Sequence, residues 1–272
     1  MPLIIDVDPV AFHLGPLEIR WYGIAVVAAI AVAYLVVRRE TRRRGIPDAL
    51  VADGTLWVGL AALVGGRALY LVQNELPMLA AMPLHAFEIW HGGLSFLGGL
   101  VAGLVALAIY AHRHGIGIGH IADAAAPGVA LGQAVGHLGC LIGGDSYGTV
   151  TTLPWAVVYR NPAAMAPLGV PLHPVVIYEA IGLVVLFVAL TIGRDRLGRL
   201  GPGVIAAVYL LGVAVLRFGL FFLRDEQAVF AGLKTAQLLS IAIGIAGVAW
   251  ILRLLLPRVR VYSQGVSADV EP

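Results

Sequence analysis

The stretch Pro202-Gly-Val-Ile-Ala-Ala-Val-Tyr-Leu-Leu-Gly-Val-Ala-Val-Leu-Arg-Phe-Gly-Leu-Phe-Phe-Leu223 decides the fold. It carries a single charge, Arg217, in an otherwise apolar run. About 20 apolar residues are what a helix needs to cross the hydrocarbon core of a bilayer. Six more runs of this kind occur: Tyr22 to Val37, Val51 to Val72, Gly93 to Ala111, Ile121 to Ile142, Pro174 to Ile192 and Ala236 to Leu256. The fourth in chain order, Ile121 to Ile142, is the weakest, because Asp123, Pro127 and Gln133 interrupt it. Such interruptions are tolerated where a helix lines protein or a cavity. The composition agrees: 60% of residues are hydrophobic and 12% charged, against about 25% charged in a soluble domain. The sequence predicts an all-α polytopic membrane protein with seven transmembrane helices.

Basic residues set the orientation, since cytoplasmic loops carry the excess of Arg and Lys. Of the 18 Lys and Arg residues, twelve fall in the loops and ends after spans one, three, five and seven. Four (Arg20, Arg160, Arg224 and Lys234) fall on the other side, and Arg67 and Arg217 lie inside spans. The N-terminus is expected outside and the C-terminus inside. A single transmembrane domain covers residues 1–260, with outer loops 73–92 and 143–173 and a polar cytoplasmic tail, 261–272, expected to be disordered. Trp90, Trp155 and Tyr159 in the outer loops fit interfacial anchors. The first residues, Met1-Pro-Leu-Ile-Ile-Asp-Val-Asp, lack the basic n-region of a cleavable signal peptide.

The polar residues inside the spans gather toward one side. At 1.5 Å rise per residue, Arg67 lies roughly 9 Å below the outer end of its span, and Arg217 is at a similar depth. Arg224 follows Arg217 by two turns and shares its face. Tyr178 and Glu179 lie about one turn into span five, His137 about one turn from the end of span four, and Tyr22 opens span one. Each has a plain alternative: Arg67 as a helix-joining partner of Glu179, Arg224 as a snorkelling end residue, Tyr22 as part of an aromatic belt. Arg217 is too deep for easy snorkelling. Buried arginines take carboxylates or phosphates, and Glu179 and Asp145 are few acids for three arginines. The surplus positive charge points to an anionic ligand, in an outer leaflet a phospholipid headgroup.

Two glycine-rich segments stand beside these charges. Gly136-His-Leu-Gly-Cys-Leu-Ile-Gly-Gly-Asp-Ser-Tyr-Gly148 turns an apolar run into glycines and an acid. Ionisable groups at membrane depth are costly, which makes His137 and Asp145 functional candidates. His91-Gly-Gly-Leu-Ser-Phe-Leu-Gly-Gly-Leu-Val-Ala-Gly103 opens span three. Its glycines suit close helix packing, and its first turn offers backbone N–H groups to an anion. The lone Cys140 excludes an intrachain disulfide and fits a small buried residue better than a nucleophile. His112, His114 and His120 lack partners for a metal site and read as solvated loop residues. No nucleic-acid signature, P-loop or Gly-x-Ser-x-Gly is present. No internal repeat is present, and the polar groups are one-sided; both weigh against a transporter or channel.

Seven pieces, in order, resemble the bacterial phosphatidylglycerol–prolipoprotein diacylglyceryl transferases: Leu14-Gly-Pro-Leu with Arg20-Trp-Tyr-Gly23, Gly65-Gly-Arg-Ala-Leu-Tyr70, Gly92-Gly-Leu-Ser-Phe with Gly98-Gly99, Gly136 to Gly148, His173-Pro174 with Tyr178-Glu179, Arg217 to Arg224, and Gln237-Leu-Leu-Ser240. The resemblance implies transfer of the diacylglyceryl group of phosphatidylglycerol to the lipobox cysteine in a prolipoprotein signal peptide. This is the first step of lipoprotein maturation; a thioether forms and glycerol phosphate leaves. It implies a monomeric membrane-embedded enzyme without metal or other cofactor, its site toward the outer leaflet. His137, Arg217 and Tyr22 take the catalytic positions. Arg67, Gly92, Gly93, Ser95, Gly139, Cys140, Asp145, Gly148, Tyr178, Glu179 and Arg224 take the substrate-binding ones.

The chain departs from the family pattern at several of these places. The family's signature usually has Arg where His137 stands, Asn at Cys140 and Gly143, and Glu at Asp145. Its proteobacterial form has His at Leu97 and Glu at Phe221. Three readings stay open: an enzyme that uses His137 as base or donor, an enzyme for a related lipid or acceptor, or a lipid-binding protein of the same fold that has lost activity.

Overall fold

Helix dominates the computed structural model, which describes residues 2–15, 17–88 and 93–266, with side chains for all of these except 17, 80, 81 and 255–266. Trp90, His91 and Gly92 lie outside the described residues. Among the described residues, seven helices are long and apolar enough to cross a membrane, and they coincide with the seven runs read from the sequence. The chain divides into two compact units, residues 38–121 and residues 1–37 with 122–272.

The first of these units holds the last turns of α1 (Trp21–Arg43), then α2 (Asp48–Asn74), α3 (Leu76–Ala81), a 3₁₀ turn (Pro83–Phe87) and α4 (Phe96–Arg113). Glycine lets α2 and α4 touch backbone to backbone. A Cβ placed on Gly98 would lie 2.3 Å from Gly65 O, and one on Gly65 would lie 2.2 Å from Ala102 Cβ. The packing use of these glycines is therefore realised. The turn between α1 and α2 is closed by Asp48, which accepts from Arg38 Nε at 2.9 Å and Arg42 Nε at 2.6 Å.

The second unit begins with short strands that an all-helical reading leaves out. β1 (Leu3–Ile5) pairs in parallel with β4 (Val157–Tyr159), and β2 (Val10–Leu14) forms a hairpin with β3 (Leu17–Arg20). Its helices are most of α1, most of α5 (Ile118–Gly143), α6 (Val175–Arg199), α7 (Val204–Leu220) and α8 (Thr235–Val266). α8 thus continues through the first residues of the tail expected to be disordered. Small residues seat α5 on α1: a Cβ on Gly128 would be 2.7 Å from Ala33 O, and one on Gly132 would be 2.9 Å from Ala29 O. α5, α6 and α7 share two apolar clusters, Ala126–Leu190–Ile205–Ala206 and Ala134–Leu183–Val213.

The interruptions in span four have local reasons. α5 is continuous through Pro127. Asp123, 3% exposed, accepts from Gly203 N at 2.8 Å and Ala206 N at 2.9 Å, and so caps the start of α7 from a neighbouring helix. A carboxylate there satisfies otherwise orphaned donors, typically worth about 1 kcal/mol. Gln133 accepts from Tyr209 Oη at 2.9 Å.

Candidate functional site

In the unit of residues 1–37 and 122–272, the end of α5, the start of α6 and the end of α7 bring the predicted polar residues together. Glu179 is 1% exposed, and its Oε1 accepts from Arg217 Nε at 2.8 Å and lies 3.6 Å from His137 Nε2. The deep arginine of span six therefore takes the one fully buried acid of span five. Glu179 Oε2 is buried with no partner among the described residues. Removing Arg217 would strand the buried Glu179 charge, which is strongly destabilising.

Arg224 is 8% exposed and donates from Nη1 to Glu226 at 3.2 Å. It follows a 3₁₀ turn, Phe221–Leu223, and its backbone bridges Gly148. The glycine is required by space: a Cβ on Gly148 would meet His173 Cβ, His173 O and Val175 Cγ2, each at 2.7 Å. The Arg217 and Arg224 guanidiniums lie 5.6 Å and 4.7 Å from the centre of the same Phe221 ring. Lys234 Nζ donates to Phe221 O at 2.6 Å and also to Arg224 O, and Gln237 Nε2 donates to Phe218 O at 3.3 Å, so the start of α8 ties down the end of α7.

The glycine-rich segment closes α5. Gly144, at φ +69°, turns the chain and donates to Cys140 O at 2.9 Å. Met165 N donates to Gly143 O, and Tyr159 Oη to Leu141 O at 2.9 Å. Tyr159 is 3% exposed, which corrects its reading as an interfacial anchor. Burial, then the nearby Asp145 and Cys140, push its phenol above the ordinary range. Trp155 is exposed and donates Nε1–H to Tyr178 Oη at 2.7 Å. Gly139 abuts α1, with an added Cβ only 2.9 Å from Tyr22 Cα. Tyr22 and Asp145 both stand within electrostatic reach of Cys140, as does Arg224. Beside this cluster runs an apolar cavity of about 400 Å³ between α5 and α6, walled by residues such as Leu131, Leu138, Ile177, Ile181 and Val185, with His137 its one polar wall residue.

The other unit places Arg67, Gly93 and Ser95 around one loop. Arg67 is 5% exposed and donates to Ala86 O (3.1 Å), Gly93 O (3.2 Å) and His85 O (2.8 Å). Gly93 has φ +78°, and a Cβ there would lie 2.4 Å from the Tyr70 ring. The helix expected from Gly93 starts at Phe96, where Ser95 is the N-cap and accepts from Gly98 N at 3.4 Å. Gly99 N bonds Ser95 O. These first-turn N–H groups, read as open to an anion, are thus partly taken by the cap. Gly92 lies outside the described residues.

Phe221, Lys234, Asp123 and the Trp155–Tyr178 bond were not singled out as site or positioning features from sequence. Lys234 carried the one usable signal: it is the only lysine, three residues before Gln237.

Seven helices long and apolar enough to span a membrane, with the Arg217–Glu179–His137 group beside an apolar cavity, define a polytopic membrane protein. The sequence profile of the prolipoprotein diacylglyceryl transferase family matches residues 9–253. The chain is 37% identical to a phosphatidylglycerol–prolipoprotein diacylglyceryl transferase of Chromohalobacter salexigens, over 90% of this chain and 91% of the relative. It is 33% identical to the protein of that name from Synechococcus elongatus, over 90% and 88% of the two chains. The corresponding Rhizobium leguminosarum protein is 35% identical, over 82% and 81%. The chain belongs to the prolipoprotein diacylglyceryl transferase family.

Proposed function

We propose that this protein transfers the diacylglyceryl group of phosphatidylglycerol to the cysteine thiol of a prolipoprotein signal peptide, at the outer leaflet of a bacterial plasma membrane. Beyond family membership, one observation carries the reading: His137 is at once a wall of the apolar α5–α6 cavity and a neighbour of the Arg217–Glu179 pair. That arrangement suits a lipid whose acyl chains lie in the cavity and whose phosphodiester meets Arg217 and Arg224. The acceptor thiol gives its proton to His137, and Glu179 stabilises the imidazolium. The thiolate is the nucleophile. It attacks the terminal glyceryl carbon, the carbon–sulfur bond forms as the carbon–oxygen bond to phosphate breaks, and glycerol phosphate leaves with the electron pair. The guanidiniums neutralise charge that develops on that phosphate. Tyr22, Gly139, Cys140, Asp145, Gly148 and Tyr178 border the approach of the acceptor. Arg67 and Ser95 serve by fixing the loop that contains Gly93.

The test is transfer in phosphatidylglycerol vesicles to a lipobox peptide, read by the mass of the diacylglyceryl peptide, with an active relative run alongside. Wild type forms product. Arg217→Ala loses about a hundredfold or more, and Arg217→Lys, which keeps the charge but not the planar fork, separates chemistry from folding. Phosphatidylglycerol binding without product, or full activity in Arg217→Ala, overturns the reading or the role.

A further inference from the structure

Phe221 is the residue that Arg217 and Arg224 share. Its ring is 3% exposed, within cation–π distance of both guanidiniums. Arg217 reaches it from one helical turn earlier, and the 3₁₀ turn brings Arg224 back onto it. The ring's place is fixed by the backbone around it: Lys234 bonds Phe221 O and Arg224 O, and Thr149 N bonds Leu223 O at 2.8 Å. Each arginine has one carboxylate partner, Glu179 for Arg217 and Glu226 for Arg224. Glu179 lies on α6, and Glu226 follows Arg224 by two residues.

Two guanidiniums drawn toward one point repel. An acid between them would relieve the repulsion by cancelling the charge. An aromatic face attracts both through its quadrupole and adds no net charge. Burial strengthens that attraction, because the ring and Arg224 have little water to compete.

We propose that Phe221 is a positioning residue that gathers Arg217 and Arg224 into a two-arginine cradle without adding a further acid to it, and so sets the affinity of the site for a phosphodiester headgroup. The assignment rests on the transferase reading for its ligand class, but its test is a binding measurement that does not need turnover.

The experiment places mono-, di- and trifluorinated phenylalanine at position 221 of the full chain, in phosphatidylcholine nanodiscs, and titrates phosphatidylglycerol. Fluorine drains the ring quadrupole while keeping its shape, so packing is held constant. Affinity falls stepwise with fluorine number, to roughly tenfold in the trifluoro form. Phe221→Leu weakens binding like the trifluoro ring. In the peptide assay KM rises more than kcat falls. Affinity unchanged across the fluorine series overturns the cradle, whether or not the protein transfers lipid. A stepwise fall in binding with no transfer by wild type keeps the cradle and removes the transferase reading instead.

Discussion

His85 carries a carboxylate on each ring nitrogen: Glu75 Oε2 lies 2.9 Å from Nε2 and Glu88 Oε2 lies 2.8 Å from Nδ1. Tyr70 Oη reaches the other Glu75 oxygen at 3.4 Å. The hydrogen bonds to Glu75 and then Glu88 hold the imidazole above its ordinary pKa of 6.5. His85 O also receives Arg67, so this clamp fixes the loop that the arginine grips. A group whose folded pKa is raised contributes stability that is complete below its unfolded pKa and is lost as pH rises through the folded value. Amide exchange in residues 75–88 should therefore be slow below about pH 6.5 and quicken above it, beyond the intrinsic effect of pH, as the imidazolium is lost. His85→Gln should remove that extra dependence; an identical profile in the variant would count against the clamp. At this scale the sequence shows which charges are buried but not how they pair. Glu179 was one of two acids offered for three arginines, and the structure gives it to Arg217. Depth along a helix is legible, whereas rotation about its axis depends on neighbours far away in sequence.

Helix positions were readable because each run is apolar over the length a bilayer requires. Less readable were the elements whose partners are distant. β1 has three residues and exists through pairing with β4, over 150 positions later. Asp123 and Gln133 looked like defects in span four until α7 supplied their partners. The α2–α4 contact is a case where the glycine pattern told the packing correctly, and it makes a graded prediction. A methyl on Gly98 meets Gly65 O at 2.3 Å and Leu69 Cβ at 2.6 Å, while a methyl on Gly103 has nothing nearer than 3.6 Å. Overpacking a tight contact costs about 1–3 kcal/mol. Gly98→Ala should lower the thermal midpoint in detergent clearly, and Gly103→Ala should leave it near wild type. Equal midpoints for the two variants would mean that the close approach is not what holds these helices.

Across the whole chain, the charges and the polar cluster make one claim about sidedness. Within the unit that holds the cluster, Tyr22 opens α1, Cys140 and Asp145 close α5, Glu179 opens α6 and Arg224 follows α7. These positions demand that the start of α1, the end of α5, the start of α6 and the end of α7 lie on one side. An odd number of spans then puts the two ends of the chain on opposite sides. Twelve of the 18 basic residues fall in loops and ends on the side away from the cluster. Asp48 takes two of those arginines, but acids contribute little to orientation, so the bias stands. The cluster should thus face the outside. Alkaline phosphatase is active only outside the plasma membrane, and green fluorescent protein fused to an unfolded exported segment fluoresces only inside. Fusions after Met165 should give phosphatase activity and no fluorescence. Fusions after Gly115 and after Ser263 should give fluorescence and no phosphatase. The reverse pattern would place the buried arginines toward the cytoplasm, where an exported acceptor cysteine could not reach them, and both the orientation and the proposed acceptor would have to be given up together.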